Sequence, residues 1–129
     1  MIIVDTALKK RLAAGNPVRV AMVAAGYMGR GIALEILKAF PGLRLAVIVN
    51  RTADQAERAY REAGASGMRA VSTPAQLDQA IRDGVYAVTD DPTVACRAEG
   101  IEAVIETSGD VEFGSQVTLE ALKNGKHVI

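Results

Sequence analysis

The chain has no tryptophan, a single cysteine, a single histidine and no excess of charge of either sign. The lone Cys96 excludes an intrachain disulfide and is typical of a reducing compartment. The 15 basic and 15 acidic residues give a formal net charge of zero, which favours neither nucleic acid nor an anionic membrane as a partner. No apolar run approaches the roughly 20 residues of a membrane-spanning helix, and the N-terminus lacks the order of a secretory signal. We therefore expect a cytoplasmic domain without nucleic-acid or membrane partners.

The side chains needed for common catalytic and metal sites are also scarce. One histidine, His127, and one cysteine cannot form a zinc site, and no Ser/His/Asp set is visible. We therefore assign no catalytic and no metal-binding residue. The final segment, 126–129, has the pattern of a parallel strand that begins without being followed by a crossover. This pattern leads us to expect that the 129 residues are the N-terminal part of a longer protein, with catalytic residues beyond Ile129.

Apolar strand-like runs alternate with helical patterns along the whole chain, which predicts one α/β domain over residues 1–129. Strands are predicted at 18–24, 43–49, 85–89, 102–106 and from 126 onward. Helices are predicted around Val4, Leu8 and Leu12, then over 29–40, 52–63, 73–82, 92–98 and 111–123. The second helix is expected to bury a stripe that ends at Phe40. Alternating strands and helices favour a Rossmann-like, doubly wound parallel sheet in three layers.

The most informative segment is VRVAMVAAGYMGRG, at residues 18–31. It is typical of the first strand, turn and helix of a dinucleotide-binding unit, except that Ala24 stands at the first glycine position. Such a turn presents backbone N–H groups and a helix N-terminus to a pyrophosphate. The predicted cofactor-binding residues of this turn are Ala25, Gly26, Tyr27, Met28 and Gly29. A strand–glycine–helix joint without any nucleotide is the alternative interpretation.

The second predicted element of the site is Asn50-Arg51-Thr52, which follows the second strand about twenty residues after Gly29. In dinucleotide-binding folds this position contacts the adenosine ribose. Asn and Arg, in place of a carboxylate, favour the 2′-phosphate of NADP over the 2′-hydroxyl of NAD. A charge-assisted contact of about 1.5–3 kcal/mol would give Arg51 a preference of roughly ten- to a hundredfold. The alternative is a strand end with a solvated Arg51 and with Thr52 capping the next helix.

The third predicted element is the turn Thr107-Ser108-Gly109 after the fourth strand, where ligands of open α/β sheets bind. It is expected to line the nicotinamide side of the cofactor with hydroxyl and amide groups. The alternative, which is compatible with this role, is a helix N-cap by Ser108 or Asp110.

With the NRT turn, the GVYAVTDD strand and AVIETSGDVEFGSQVTLEALKNGKHVI, the chain resembles the N-terminal domain of homoserine-dehydrogenase-like oxidoreductases. The group it resembles includes deoxyxylulose-phosphate reductoisomerase-like enzymes with a C-terminal SAF domain. This resemblance implies an NAD(P)-binding region, followed by a domain that supplies the substrate site and dimer contacts.

We therefore predict the NADP(H)-binding domain of an oxidoreductase that acts on a small carbonyl or alcohol substrate. NAD is the less favoured cofactor, and a homo-oligomer is compatible with the resemblance. The alternatives are a non-catalytic dinucleotide-sensing module and a Rossmann-shaped scaffold that has lost its ligand, with Ala24 as the trace of that loss.

Overall fold

The computed structural model describes residues 2–129, which form six helices and six strands. The helices are α1 (Ile2–Ala13), α2 (Tyr27–Ala39), α3 (Ala53–Glu62), α4 (Pro74–Arg82), α5 (Pro92–Arg97) and α6 (Val111–Lys123). The strands are β1 (Val18–Val23), β2 (Leu43–Val49), β3 (Arg69–Ala70), β4 (Ala87–Thr89), β5 (Ala103–Glu106) and β6 (His127–Val128). None of the described helices combines the length and apolar character needed to cross a lipid bilayer.

All six strands form one parallel sheet in the order β3-β4-β2-β1-β5-β6. The central strand is β1, whose Val20 pairs with Leu45 of β2 on one side and with Ala103 of β5 on the other. The chain winds outward from β1 first in one direction and then in the other. This arrangement confirms the predicted doubly wound fold, and it creates a crevice at the carboxyl ends of β1, β2 and β5.

Two apolar cores, one on each face of the sheet, explain why the central strands are apolar almost throughout. Along β1, Ala21 and Val23 face one core, whereas Val20 and Met22 face the other. This is the two-residue alternation expected of a strand that is covered on both faces. Tyr60 of α3 points inward and is fully buried, and its hydroxyl donates a 2.9 Å hydrogen bond to the carbonyl of Leu45.

The strand β3 was not predicted. It has only two residues, Arg69 and Ala70, and both are exposed, so it gives no apolar signal. It forms because the N–H of Arg69 bonds to the carbonyl of Tyr86, while the Arg69 guanidinium lies 2.7 Å from Asp83. Tertiary pairing, rather than local pattern, therefore forms this edge of the sheet.

The four-residue spacing of Val4, Leu8 and Leu12 in the first helix predicts a buried apolar face, but 45% of Val4 and 48% of Leu12 remain exposed. Phe40, expected in the core, is likewise 46% exposed. Arg11 of α1 donates two hydrogen bonds to Glu102, at 2.8 and 3.0 Å. This ion pair attaches the helix to the residue directly before β5.

Candidate functional site

The turn after β1 begins with a strained residue. Ala24 has a φ of +81°, a left-handed conformation that normally selects glycine. Its N–H donates to the carbonyl of Val49 at 2.7 Å. The Thr107 hydroxyl donates to the carbonyls of Val23, at 2.9 Å, and Ala24, at 3.3 Å. The turn keeps the glycine-like geometry because both neighbouring strands hold it, at a cost of about 1–2 kcal/mol.

Gly29 allows α2 to pack closely against this turn. A β-carbon at Gly29 would lie 2.8 Å from the carbonyl oxygen of Ala24 and 3.4 Å from the terminal methyl of Met22. Contacts at 2.8 Å are shorter than side chains tolerate, so any residue other than glycine would push the helix away. The close helix–strand packing expected at this position is therefore present.

Gly26 is different, because a β-carbon there would meet nothing within 4 Å. It is the N-cap residue of α2 and provides no side-chain hydrogen bond to the first turn. The first N–H groups of a helix have no partner inside the helix and attract anions. The next two residues, Tyr27 and Met28, are 89% and 69% exposed. Open space and uncapped N–H groups thus coincide at the start of α2.

Asn50 links this turn to the one that follows β2. Its Oδ1 accepts a 3.1 Å hydrogen bond from the N–H of Ala25. Its Nδ2 donates to the carbonyl and hydroxyl of Thr52, at 3.0 and 3.2 Å, and to Gln55 at 3.3 Å. The Asn50 amide is therefore engaged at both ends within the protein, and it holds two of the predicted turns together.

Thr52 does not cap α3 with its side chain, contrary to one interpretation of its sequence pattern. The same pattern at Thr73 does produce a cap, in which the hydroxyl accepts from the N–H of Gln76 at 3.1 Å. The difference arises because the Thr52 hydroxyl accepts from Asn50 instead. Neighbouring Arg51 is exposed and makes no ion pair or side-chain hydrogen bond with the residues that the structure describes.

The turn after β5 is held by its own polar groups. The N–H of Ser108 donates to Glu106 at 2.8 Å, and the Ser108 hydroxyl accepts from the N–H of Asp110 at 3.3 Å. Asp110 caps α6 by accepting from the N–H of Phe113 at 2.8 Å. The capping interpretation is thus correct for Asp110, and Gly109 supplies the positive φ of +72° that closes the turn.

Parts of all three turns surround one cleft of about 720 Å³ at the carboxyl ends of the strands. Its lining residues are Val23, Ala24, Val49, Asn50, Arg51, Thr52, Gln55, Asp90, Ser108, Asp110 and Phe113.

Of the predicted site residues, the lining of this cleft includes those of the β2 turn and Ser108. A separate groove of about 730 Å³ is lined by Tyr27, Met28 and further residues of α2. In the turn after β1, Ala25 and Gly29 are buried and Gly26 is exposed. Thr107 donates a hydrogen bond to this turn, and Gly109 is exposed in the turn after β5.

Sequence reasoning did not assign Gln55, Asp90, Asp110 or Phe113 to the cleft. Asp90 carried a detectable signal, because it directly follows the predicted strand 85–89. Cys96 lies outside the cleft and is buried, and its burial raises the pKa of the thiol to about 11. Within residues 2–129 no group of three or more His, Cys, Asp or Glu side chains is placed to hold a metal ion.

The chain belongs to the GFO/IDH/MocA oxidoreductase family with an NAD-binding Rossmann fold, whose family model matches residues 18–129. A search of curated protein sequences gave no significant match.

Similar solved structures include scyllo-inositol dehydrogenase from Lactobacillus casei with bound NAD(H) and scyllo-inositol, at 21% identity and a TM-score of 0.64. The match covers 88% of this chain and 27% of that one. Myo-inositol 2-dehydrogenase from Lactobacillus plantarum matches at 19% identity and a TM-score of 0.64, over 88% of this chain and 27% of that one. A 3-ketoreductase from Actinomadura kijaniata, in complex with TDP-benzene and NADP, matches at 24% identity and a TM-score of 0.58, over 88% and 29% of the two chains.

These comparisons confirm the coarser part of the expected resemblance, namely an NAD-binding Rossmann domain of an oxidoreductase. They do not support the finer part, because the structural neighbours named above are inositol dehydrogenases and a 3-ketoreductase instead of homoserine-dehydrogenase-like enzymes, and an SAF domain has no support. The chain spans about a quarter of the length of the solved structures named above, at 27% to 29% of each.

Proposed function

We propose that this chain is the cofactor-binding domain of an oxidoreductase that acts on a small alcohol or carbonyl substrate. The observation that carries the proposal is the cleft at the carboxyl ends of the strands, which has two turns of the predicted site along its rim and the uncapped N-terminus of α2 beside it. When bound, the nicotinamide supplies a hydride donor or acceptor, and the protein supplies binding and orientation. In this proposal, the side chains that bind the substrate and act as acid and base belong to a part of the protein outside these 129 residues.

The residues present fit a dinucleotide. Gly26 leaves room for a pyrophosphate at the N-terminus of α2, where the N–H groups of Tyr27 and Met28 have no intrahelical partner. Ser108 and Gly109 extend the same rim toward the nicotinamide side. Ala24 retains the positive φ of the usual glycine. Hydrogen bonds from the neighbouring strands hold this geometry without a ligand, so the turn is already shaped for a pyrophosphate.

For the adenosine end, we propose that both NAD(H) and NADP(H) bind and that Arg51 favours the 2′-phosphate. No carboxylate follows β2 directly, and the exposed guanidinium of Arg51 is free to approach a phosphate. The preference is smaller than the tenfold to hundredfold expected from the sequence. Exposed ion pairs are worth about 0–1 kcal/mol, and the Asn50 amide is already engaged, so we expect a factor of roughly two to five. The family description names NAD, which makes this preference the point to test.

The experiment is a calorimetric titration of this chain with NADH and NADPH in parallel. Arg51→Ala should weaken NADPH binding by about two- to fivefold and leave NADH nearly unchanged. Arg82→Ala is the matched control, because it removes an exposed arginine from the C-terminus of α4, outside the cleft. Equal losses for both cofactors, or equal effects of both variants, would refute the role of Arg51. Absence of binding of either cofactor would refute the proposed function.

A further inference from the structure

The adenosine end of the cleft contains a second charged side chain that no part of the proposed function uses. Asp90 directly follows β4, whose Thr89 pairs in register with Val49 of β2. The N–H of Asn50 donates to the carbonyl of Thr89 at 2.9 Å, so the parallel pairing continues to the strand ends. Adjacent strands lie about 4.8 Å apart. Asp90 is thus the next-strand neighbour of Asn50, the residue at the ribose-reading position.

The Asp90 carboxylate has no structural function among the described residues. It is exposed and makes no side-chain hydrogen bond or ion pair there. The following residue, Asp91, caps α5 by accepting from the N–H of Thr93 at 2.9 Å, so the helix does not need Asp90. The other carboxylate that lines the cleft, Asp110, is engaged in capping α6.

This end of the cleft therefore contains one positive and one negative side chain. Arg51 and Asp90 both line it, both are exposed, and no ion pair joins them. A 2′-phosphate carries up to two negative charges, whereas a 2′-hydroxyl carries none. A free carboxylate repels the phosphate, but it can accept a hydrogen bond from the hydroxyl.

We infer that Asp90 is a second specificity-determining residue of the cofactor site, acting against Arg51 and in favour of NAD(H) over NADP(H). The inference rests on the proposed function, because it requires that the cleft bind a dinucleotide. It also supplies a reason for the modest preference proposed above, and for compatibility with NAD in a site that lacks a carboxylate directly after β2.

The test is a titration of wild type, Asp90→Asn, Asp90→Glu and Glu99→Gln with NADH and NADPH. Asp90→Asn should raise the ratio of NADPH affinity to NADH affinity by about two- to tenfold, as expected for one charge within a Debye length of a phosphate. Asp90→Glu keeps the charge and should stay within about twofold of the wild-type ratio. Glu99→Gln removes one exposed negative charge from the loop before β5, at the opposite end of the sheet, and should leave the ratio unchanged.

The salt dependence of the affinity ratio distinguishes an electrostatic effect of Asp90 from a structural one. Because the repulsion is electrostatic, raising the ionic strength to about 0.5 M should shrink the difference between Asp90→Asn and wild type. An unchanged ratio in Asp90→Asn, or an equal change in Glu99→Gln, would overturn the inference while leaving the proposed function intact. Failure of wild type to bind either cofactor would overturn both.

Discussion

Replacing Ala24 by glycine should stabilise this protein, although the substitution removes a methyl group. Ala24 has a φ of +81°, and a side chain in that region costs about 1–2 kcal/mol relative to glycine. Glycine also gives the unfolded chain more conformational freedom, which lowers the free energy of unfolding by about 0.4–1 kcal/mol. The net change in the free energy of unfolding lies between about 0 and +1.6 kcal/mol, and its midpoint of about +0.8 kcal/mol corresponds to a rise in Tm of about 2–4 °C for a domain of this size.

The matched control is the adjacent alanine. Ala25 is fully buried and does not have a positive φ, so Ala25→Gly relieves no strain. It loses a buried methyl worth about 0.8 kcal/mol and adds the same unfolded-state entropy, and should destabilise by about 1–2 kcal/mol. The same substitution at neighbouring positions is therefore predicted to change the free energy of unfolding in opposite directions.

The assay is urea or thermal unfolding followed by circular dichroism, with the three proteins measured side by side. A raised midpoint for Ala24→Gly and a lowered midpoint for Ala25→Gly would agree with a strained turn held by its neighbours. Destabilisation by Ala24→Gly equal to that of Ala25→Gly would refute the reasoning, since it would mean that Ala24 carries no strain.

Two further predictions concern packing and charge. Gly29→Ala should lower the free energy of unfolding by about 1–3 kcal/mol in the same assay, because its β-carbon would lie 2.8 Å from the carbonyl oxygen of Ala24; an unchanged midpoint would contradict this. Burial alone would raise the pKa of Glu102, but hydrogen bonds from Arg11 and from the N–H of Arg19 outweigh it and leave that pKa below its ordinary value. The stabilisation is therefore complete well above about pH 4.5 and is lost as the pH falls through the lowered folded-state pKa. Unfolding measured from pH 7 to pH 3 should show the advantage of wild type over Glu102→Gln shrinking in that window, and an advantage as large at pH 3 as at pH 7 would count against the ion pair.

The central elements could be predicted from the sequence because their signals are local. The strand Leu43–Val49 is apolar almost throughout, and the helix Val111–Lys123 has a capping residue before it and Asn-Gly after it. The two exposed residues of β3 carry no such signal, since their pairing depends on distant Tyr86. In α1, by contrast, a local signal is present but the structure does not follow it. The spacing of the apolar residues predicts a buried face, whereas these residues are exposed and Arg11 forms an ion pair with Glu102.

The site was predictable to the level of its turns but not of its hydrogen bonds. Parallel strands bring their carboxyl ends to one edge, which is why turns distant in sequence could be assigned to one cleft. The bond from Ala25 to Asn50 and the position of Asp90 depend on the order and register of β1, β2 and β4. Sequence spacing does not encode that register, so neither the hydrogen bonds of the Asn50 amide nor the absence of a side-chain partner for Asp90 among the described residues could be predicted.

The central claim, that a dinucleotide binds at the N-terminus of α2, is tested most directly by Gly26→Ala measured beside Gly31→Ala. Neither β-carbon would meet any atom within 4 Å, and neither glycine has a positive φ, so both variants should fold with stabilities within about 1 kcal/mol of wild type. The proposed cofactor lies over Gly26 and not over Gly31. Calorimetry should therefore show NADH and NADPH binding weakened at least tenfold in Gly26→Ala and unchanged in Gly31→Ala. Wild-type affinity in Gly26→Ala would contradict the proposed site.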